Sequence, residues 1–144
     1  MSKSSDTVAV AGRVFIGVLF LMSGLSKLAA PGATLGYIAS VGLPAPIAAF
    51  AIAATVEILG SILLVAGVRT RWVAAGMAVF TLATALTFHR NFADQNQLIH
   101  FMKNIAIMGG LLQVAAFGGG RFSVDAWLAR RSAHRAEPAL QAAR

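Results

Sequence analysis

The stretch PIAAFAIAATVEILGSILLVAGV, Pro46 to Val68, carries one ionisable residue, Glu57, near its middle. Read as a helix it is long enough to cross ~30 Å of bilayer hydrocarbon, which takes about 17–25 apolar residues. A carboxylate at that depth costs about 2.5–3.5 kcal/mol even on lenient insertion scales, so it must meet a partner, a cavity or a proton. The segment therefore bears on two questions at once: it implies a membrane-spanning chain, and it makes Glu57 the first candidate functional residue.

Working outward, three more apolar runs reach spanning length: Val8 to Leu28, Trp72 to Phe88 and Leu98 to Phe117. They account for a composition of 58% hydrophobic and 12% charged residues, against roughly 25% charged in an ordinary soluble domain. A soluble helical bundle would keep a polar stripe on each helix, whereas Trp72 to Phe88 has no charge at all. The expected fold is an all-α integral membrane protein, a four-transmembrane-helix bundle forming one domain over 1–144. Val14 to Leu25, followed by Lys-Leu-Ala-Ala, could pass for a secretory signal. It is expected to be retained as the first span.

Lys3, Arg13, Arg69, Arg71, Arg121, Arg130, Arg131, Arg135 and Arg144 gather at the N-terminus, the second connection or the C-terminus, leaving Lys27, Arg90 and Lys103 towards the other side. By the positive-inside rule both termini are expected in the cytoplasm of a bacterial-type inner membrane, with His89 to His100 outside. The net charge of +7 flanks the spans, where anionic lipid headgroups explain it without nucleic acid. With no cysteine, the chain forms neither a disulfide nor a thiol redox couple. His89, His100 and His134 do not make a metal-binding spacing, so no metal is expected.

The connection Ala29 to Ala45 is expected to hold a short external interfacial helix: Pro31 and Gly32 stop the first span, Thr34 to Ser40 make about two turns, and Gly42 with Pro44 closes them. Arg69 to Arg71 is a tight turn that makes its flanking helices antiparallel neighbours. After Gly118-Gly119-Gly120, Ser123 is expected to cap an amphipathic helix at about 123–134, with Phe122, Trp127 and Leu128 interleaved with arginines. Beyond Glu137 the chain is expected to fray.

Helical spacing groups the polar residues. Arg13, Gly17, Phe20, Gly24 and Lys27 recur at steps of four and three and share one face, expected to point inward with its glycines permitting close packing. Arg13 and Lys27 lie ~21 Å apart along the axis, bracketing the depth of Glu57. Either could reach towards it or snorkel to its own membrane surface. A purely structural ion pair of Glu57 with Arg13 or Lys103 is a further reading. His100, Lys103 and Asn104 fall on one face of the last span, and Thr81, Thr84, Phe88 and His89 on one face of the third, so the polar stripes are expected to converge in the external half of the bundle.

The run RVFIGVLFLMSGLSKL from Arg13 to Leu28, the segment Tyr37 to Pro44, Glu57-Ile-Leu-Gly60, Gly67-Val-Arg69-Thr-Arg71, Phe88-His89, FMKNIAIMGGLL from Phe101 to Leu112 and Gly120-Arg-Phe-Ser-Val-Asp125 together resemble the DoxX family. The likeness covers roughly Val10 to Leu128. It implies a four-span inner-membrane protein in which Arg13, Lys27, Glu57, Lys103 and Asn104 fall on the family's polar motif positions. Family members serve as the membrane part of an archaeal thiosulfate:quinone oxidoreductase, or assemble with a sulfurtransferase-like protein and a superoxide dismutase against oxidative stress.

The resulting expectation is a redox-system membrane subunit that holds a quinone, relays protons at Glu57 and receives electrons from a soluble partner of sulfurtransferase-like or dismutase type. Quinone reduction takes up two protons with two electrons, which suits a carboxylate beside cationic or amide donors. Glu57 is the catalytic candidate, with Arg13, Lys27, His89, His100, Lys103 and Asn104 as substrate- or quinone-binding candidates. The alternatives are a proton-coupled carrier of a small solute and a scaffold or assembly factor without chemistry. Self-association into a homo-oligomer is compatible with all three.

Overall fold

The computed structural model describes the backbone of residues 3–142 and the side chains of residues 5–135. Six helices follow one another: α1 Lys3–Ala29, α2 Pro31–Ser40, α3 Pro46–Ala66, α4 Thr70–Phe88, α5 Gln95–Phe117 and α6 Val124–Ala142. No strand occurs among the described residues. Ser5–Ala29, α3, α4 and α5 are each long and apolar enough to cross a membrane. Their outward faces carry Phe15, Ile47, Val79 and Phe117, all at least 70% exposed. Such a belt of bare apolar surface finds its solvent in lipid.

Two seams organise the bundle, α1 against α3 and α4 against α5, joined where α3 meets α4. Between them lies a small core of Phe20, Leu64, Ala74, Met77, Ala78 and Leu111. The α1–α3 seam is close because Gly24 carries no side chain: a Cβ there would stand 2.7 Å from Ile58 Cγ1 and 3.1 Å from Glu57 Cβ. Without a hydrophobic drive between helices in lipid, such close contact supplies the association energy. The inward face read from the sequence holds, with Arg13, Gly17, Phe20 and Gly24 buried and Lys27 half-buried.

The connections differ in detail from expectation. Pro31 does not merely stop α1. It occupies the first turn of α2, where its missing N–H costs nothing, so α2 has ten residues instead of about seven. Ile38 is buried and Tyr37 stacks on Phe88 with ring centroids 5.4 Å apart, fastening α2 to the end of α4. Asp94 caps α5 by accepting from the N–H of Asn96 at 2.8 Å, extending that helix three residues ahead of its apolar run. Ser123 caps α6 as expected, accepting from Ala126 N–H at 3.2 Å. The helix continues through Ala142 where fraying was expected beyond Glu137.

α3 ends in a Schellman arrangement: Gly67 at φ 74° donates to Leu64 O at 3.2 Å, and Val68 donates to Leu63 O at 3.0 Å. Glycine is needed on two counts, the left-handed backbone and the space. A Cβ would lie 2.5 Å from both Arg13 Nη1 and Ser123 Cβ.

Candidate functional site

Glu57 sits in the twelfth position of the 21-residue α3, too far from either end for its short side chain to reach water. Its partner is Lys27, whose Nζ donates to Oε1 at 2.9 Å and to Oε2 at 2.8 Å. Side chains on a helix lean towards its N-terminus. Lys27, near the end of α1, therefore directs its stem back into the bundle instead of snorkelling outward. Ser23, one turn earlier, completes the triangle: its hydroxyl accepts from Lys27 Nζ at 2.9 Å and donates to Glu57 Oε1 at 3.2 Å. The Glu57 side chain is 6% exposed and that of Lys27 27%. The pair thus has one closed and one open member. Ser61, one turn along α3, donates to the Glu57 backbone carbonyl and leaves the carboxylate to Lys27 and Ser23.

Arg13 belongs elsewhere. It is buried to 1% exposure at the end of the bundle opposite Lys27, and its two terminal guanidinium nitrogens donate to backbone carbonyls while Nε has no partner among the described residues. Nη1 donates to Leu64 O at 3.2 Å and Val65 O at 3.0 Å, and Nη2 to Phe122 O at 2.8 Å. Those α3 carbonyls form the negative end of a helix dipole, where a cation is favoured. Arg13 is thus a C-terminal cap donated to α3 by α1, not a partner of Glu57.

Asp125 makes the reciprocal contact on the next helix. Oδ1 accepts from Arg69 N–H at 2.7 Å, and Oδ2 accepts from Thr70 N–H at 2.8 Å and Thr70 Oγ1 at 2.7 Å. The carboxylate thereby satisfies the start of α4, and Asp125 N–H donates to Gly67 O at 3.0 Å. Asp6 Oδ1 ties Arg121 N–H at 3.1 Å. Partial burial alone would raise the Asp125 carboxyl. The Thr70 and Arg69 hydrogen bonds, with the nearby Arg13 charge, outweigh it and hold the group below the usual carboxylate range. A depressed folded-state value stabilises above the unfolded value of about 3.9, and that contribution disappears as pH falls through the folded one. Acidification below about pH 4 is expected to release α6 from the α3–α4 turn, read as a change in Trp127 fluorescence. Asp125→Asn should lack that transition, and an unchanged transition in the variant would exclude Asp125 as its origin.

The far end of the bundle holds the remaining candidates. His89 and His100 stack with centroids 5.1 Å apart, and His89 Nδ1 lies 3.0 Å from Gln97 Oε1. Phe92 meets Phe101 edge to face at 5.0 Å. Lys103 and His100 are exposed, and Asn104 is half-buried. The expected convergence of all the polar stripes is corrected in two respects. Thr81 and Thr84 spend their hydroxyls on Met77 O and Phe80 O of their own helix, and Lys103 is not in contact with Glu57, whose two carboxylate oxygens are held by Lys27 and Ser23. Sequence reasoning missed Ser23, although its spacing of four from Lys27 put both on one face. It also missed the clamping roles of Asp6 and Asp125. Among the described residues no cluster of three or more His, Asp or Glu side chains could hold a metal ion.

The six helices and the buried ion pair define the class: a small four-span helical membrane protein with a carboxylate held inside the bundle. The chain belongs to the DoxX family, whose model matches residues 8–90. It is 34% identical to the inner membrane protein YqjF of Escherichia coli over 91% of this chain and 99% of the relative. It is also 34% identical to the inner membrane protein YphA of the same organism, over 78% and 84%. A Bacillus subtilis protein named "Putative oxidoreductase CatD" is 33% identical over 60% of this chain and 63% of its own length. No solved structure gives a significant match.

Proposed function

We propose that the chain is the membrane subunit of a redox system in which Lys27, Ser23 and Glu57 handle protons. The observation that carries this reading is the buried carboxylate held on both oxygens by a lysine that remains partly open. Ser23 touches both partners. The pair has zero net charge with the shared proton on either side, so a proton can pass from Lys27 to Glu57 without stranding a charge at bilayer depth. The Bacillus subtilis relative, whose name assigns it to the oxidoreductases, supports the redox class.

The cysteine-free chain needs a bound cofactor for electron chemistry, and a quinone is the group proposed. When bound it supplies two-electron, two-proton chemistry. Its carbonyls call for donors with spare capacity, and among the described residues the side chains of Lys103, Asn104 and His100 have no hydrogen bond to the protein. That donor set fits the group, and these three residues would hold it. His89 positions His100 by stacking. Lys27, already committed to Glu57 and Ser23, is assigned to the proton path, and Arg13 is assigned to the architecture. Electrons would come from a soluble partner, of sulfurtransferase-like or dismutase type as the family resemblance implies. The basic terminal end would face the cytoplasm, following the positive-inside rule.

The test is organic extraction and mass spectrometry of the detergent-purified protein from quinone-containing membranes. Native chain is expected to carry stoichiometric quinone and Lys103→Gln much less, while Glu57→Gln, altered on the proton path, should keep it. Lipid alone in native chain and variants would sink the redox reading and turn attention to substrate-dependent proton flux, the signature of a carrier.

A further inference from the structure

Arg69 and Arg71 flank the start of α4 with both side chains exposed, and neither guanidinium has a hydrogen bond or ion pair among the described residues. They border a cleft of about 410 Å3 whose other walls are Trp72, Phe117, Gly118–Gly120 and Asp125. The Asp125 carboxylate in that wall forms an ion pair with neither arginine, its oxygens accepting from the Arg69 and Thr70 backbone and the Thr70 hydroxyl, so two cations face one anion. The glycines let residues 118–120 pack closely against the start of α4. A Cβ on Gly118 would crowd Arg71 Nε at 3.3 Å, and one on Gly119 would meet Thr70 Oγ1 at 2.7 Å.

Depth and flank identify the occupant. Trp72 and Phe117, 80% and 71% exposed, stand at the ends of two adjacent spans, the level of the aromatic belt and of lipid phosphates. A free inorganic anion would satisfy the guanidiniums and leave these two rings without a role. A phospholipid engages both, its phosphate accepting from planar arginine donors and its glycerol and first acyl carbons lying along the rings. We infer that this cleft is a binding site for the headgroup of one anionic phospholipid, seated between the start of α4 and the end of α5. The site is distinct from the basic face of α6, where Arg131 covers Trp127 and Arg130 bonds Arg121 O.

The full chain in detergent would be titrated with phosphatidylglycerol and, separately, phosphatidylcholine under native mass spectrometry. One phosphatidylglycerol is expected to be retained in preference to phosphatidylcholine. The double variant Arg69→Gln/Arg71→Gln should weaken it about tenfold or more, since each basic residue near the surface contributes on the order of 1 kcal/mol of attraction to anionic lipid. Arg130→Gln/Arg131→Gln, with the same loss of charge, should leave it nearly unchanged. Equal weakening by the two double variants would show diffuse attraction and overturn the site. On native chain alone, equal retention of the two lipids, or displacement of phosphatidylglycerol by excess inorganic phosphate, would also overturn it.

Discussion

Lys27→Met is expected to destabilise the bundle by about 3–5 kcal/mol, the cost of stripping one partner from a buried ion pair, and Glu57→Gln by clearly less. The asymmetry follows from exposure. Loss of Lys27 leaves a carboxylate that is 6% exposed with the Ser23 hydroxyl as its remaining side-chain donor. Loss of the Glu57 charge leaves an ammonium that is 27% exposed and long enough to turn to the membrane surface. In Glu57→Gln the amide oxygen would still accept from Lys27 or Ser23. The double variant should recover much of the Lys27→Met loss, since it removes the stranded charge along with its partner. Equilibrium unfolding of the four proteins in mixed micelles gives the coupling directly. Additive effects would mean that Lys27 and Glu57 are not an energetic unit, and the proton-handling proposal would lose its basis.

The fold was legible because lipid imposes few solutions. Four runs such as Pro46 to Val68 could only be spans, and Arg13, Gly17, Phe20 and Gly24 recur at helical steps that mark a packed face. Glu57 stood out for the same reason, as a charge that spacing could not carry to water. Its partner was harder to choose. Arg13 and Lys27 both lie on the right face, and the decision rests on side-chain direction. Lys27 leans back towards mid-membrane, while Arg13 leans towards the terminal end, where the carbonyls of Leu64 and Val65 await a donor. Axial rise gives the distance of each from Glu57 but not that direction. The role of Asp125 was not legible, because its bonds join residues more than fifty positions apart. Such contacts exist only once α6 has folded back on the α3–α4 turn. The exposure of Lys103 was equally hidden, since a helical face can be named from sequence but its neighbour cannot.

Arg13→Met should be as damaging as Lys27→Met and for a different reason. Arg13 and Asp125 supply opposite charges to the two helix ends that meet at residues 67–70: the cation takes the last carbonyls of α3, and the anion takes the first N–H groups of α4. Arg13 also reaches Phe122 O, so it ties the turn to the segment that carries Asp125. Methionine fills similar volume but leaves Val65 O and Phe122 O without their Arg13 donor, at about 1–3 kcal/mol each where water cannot reach them. A total of about 3–5 kcal/mol is expected, with faster amide exchange at 67–70 and 118–125. Arg13→Lys should fall between, because one ammonium cannot span the fork of donors that reaches α3 and Phe122 together. Lys27 and Glu57 lie towards the other end and share no hydrogen-bond partner with Arg13 among the described residues. Their coupling energy should therefore be the same in an Arg13→Lys background. Wild-type stability in Arg13→Met, or a Lys27–Glu57 coupling that vanishes with Arg13→Lys, would refute the separation of the bundle into a clamped end and a proton-handling end.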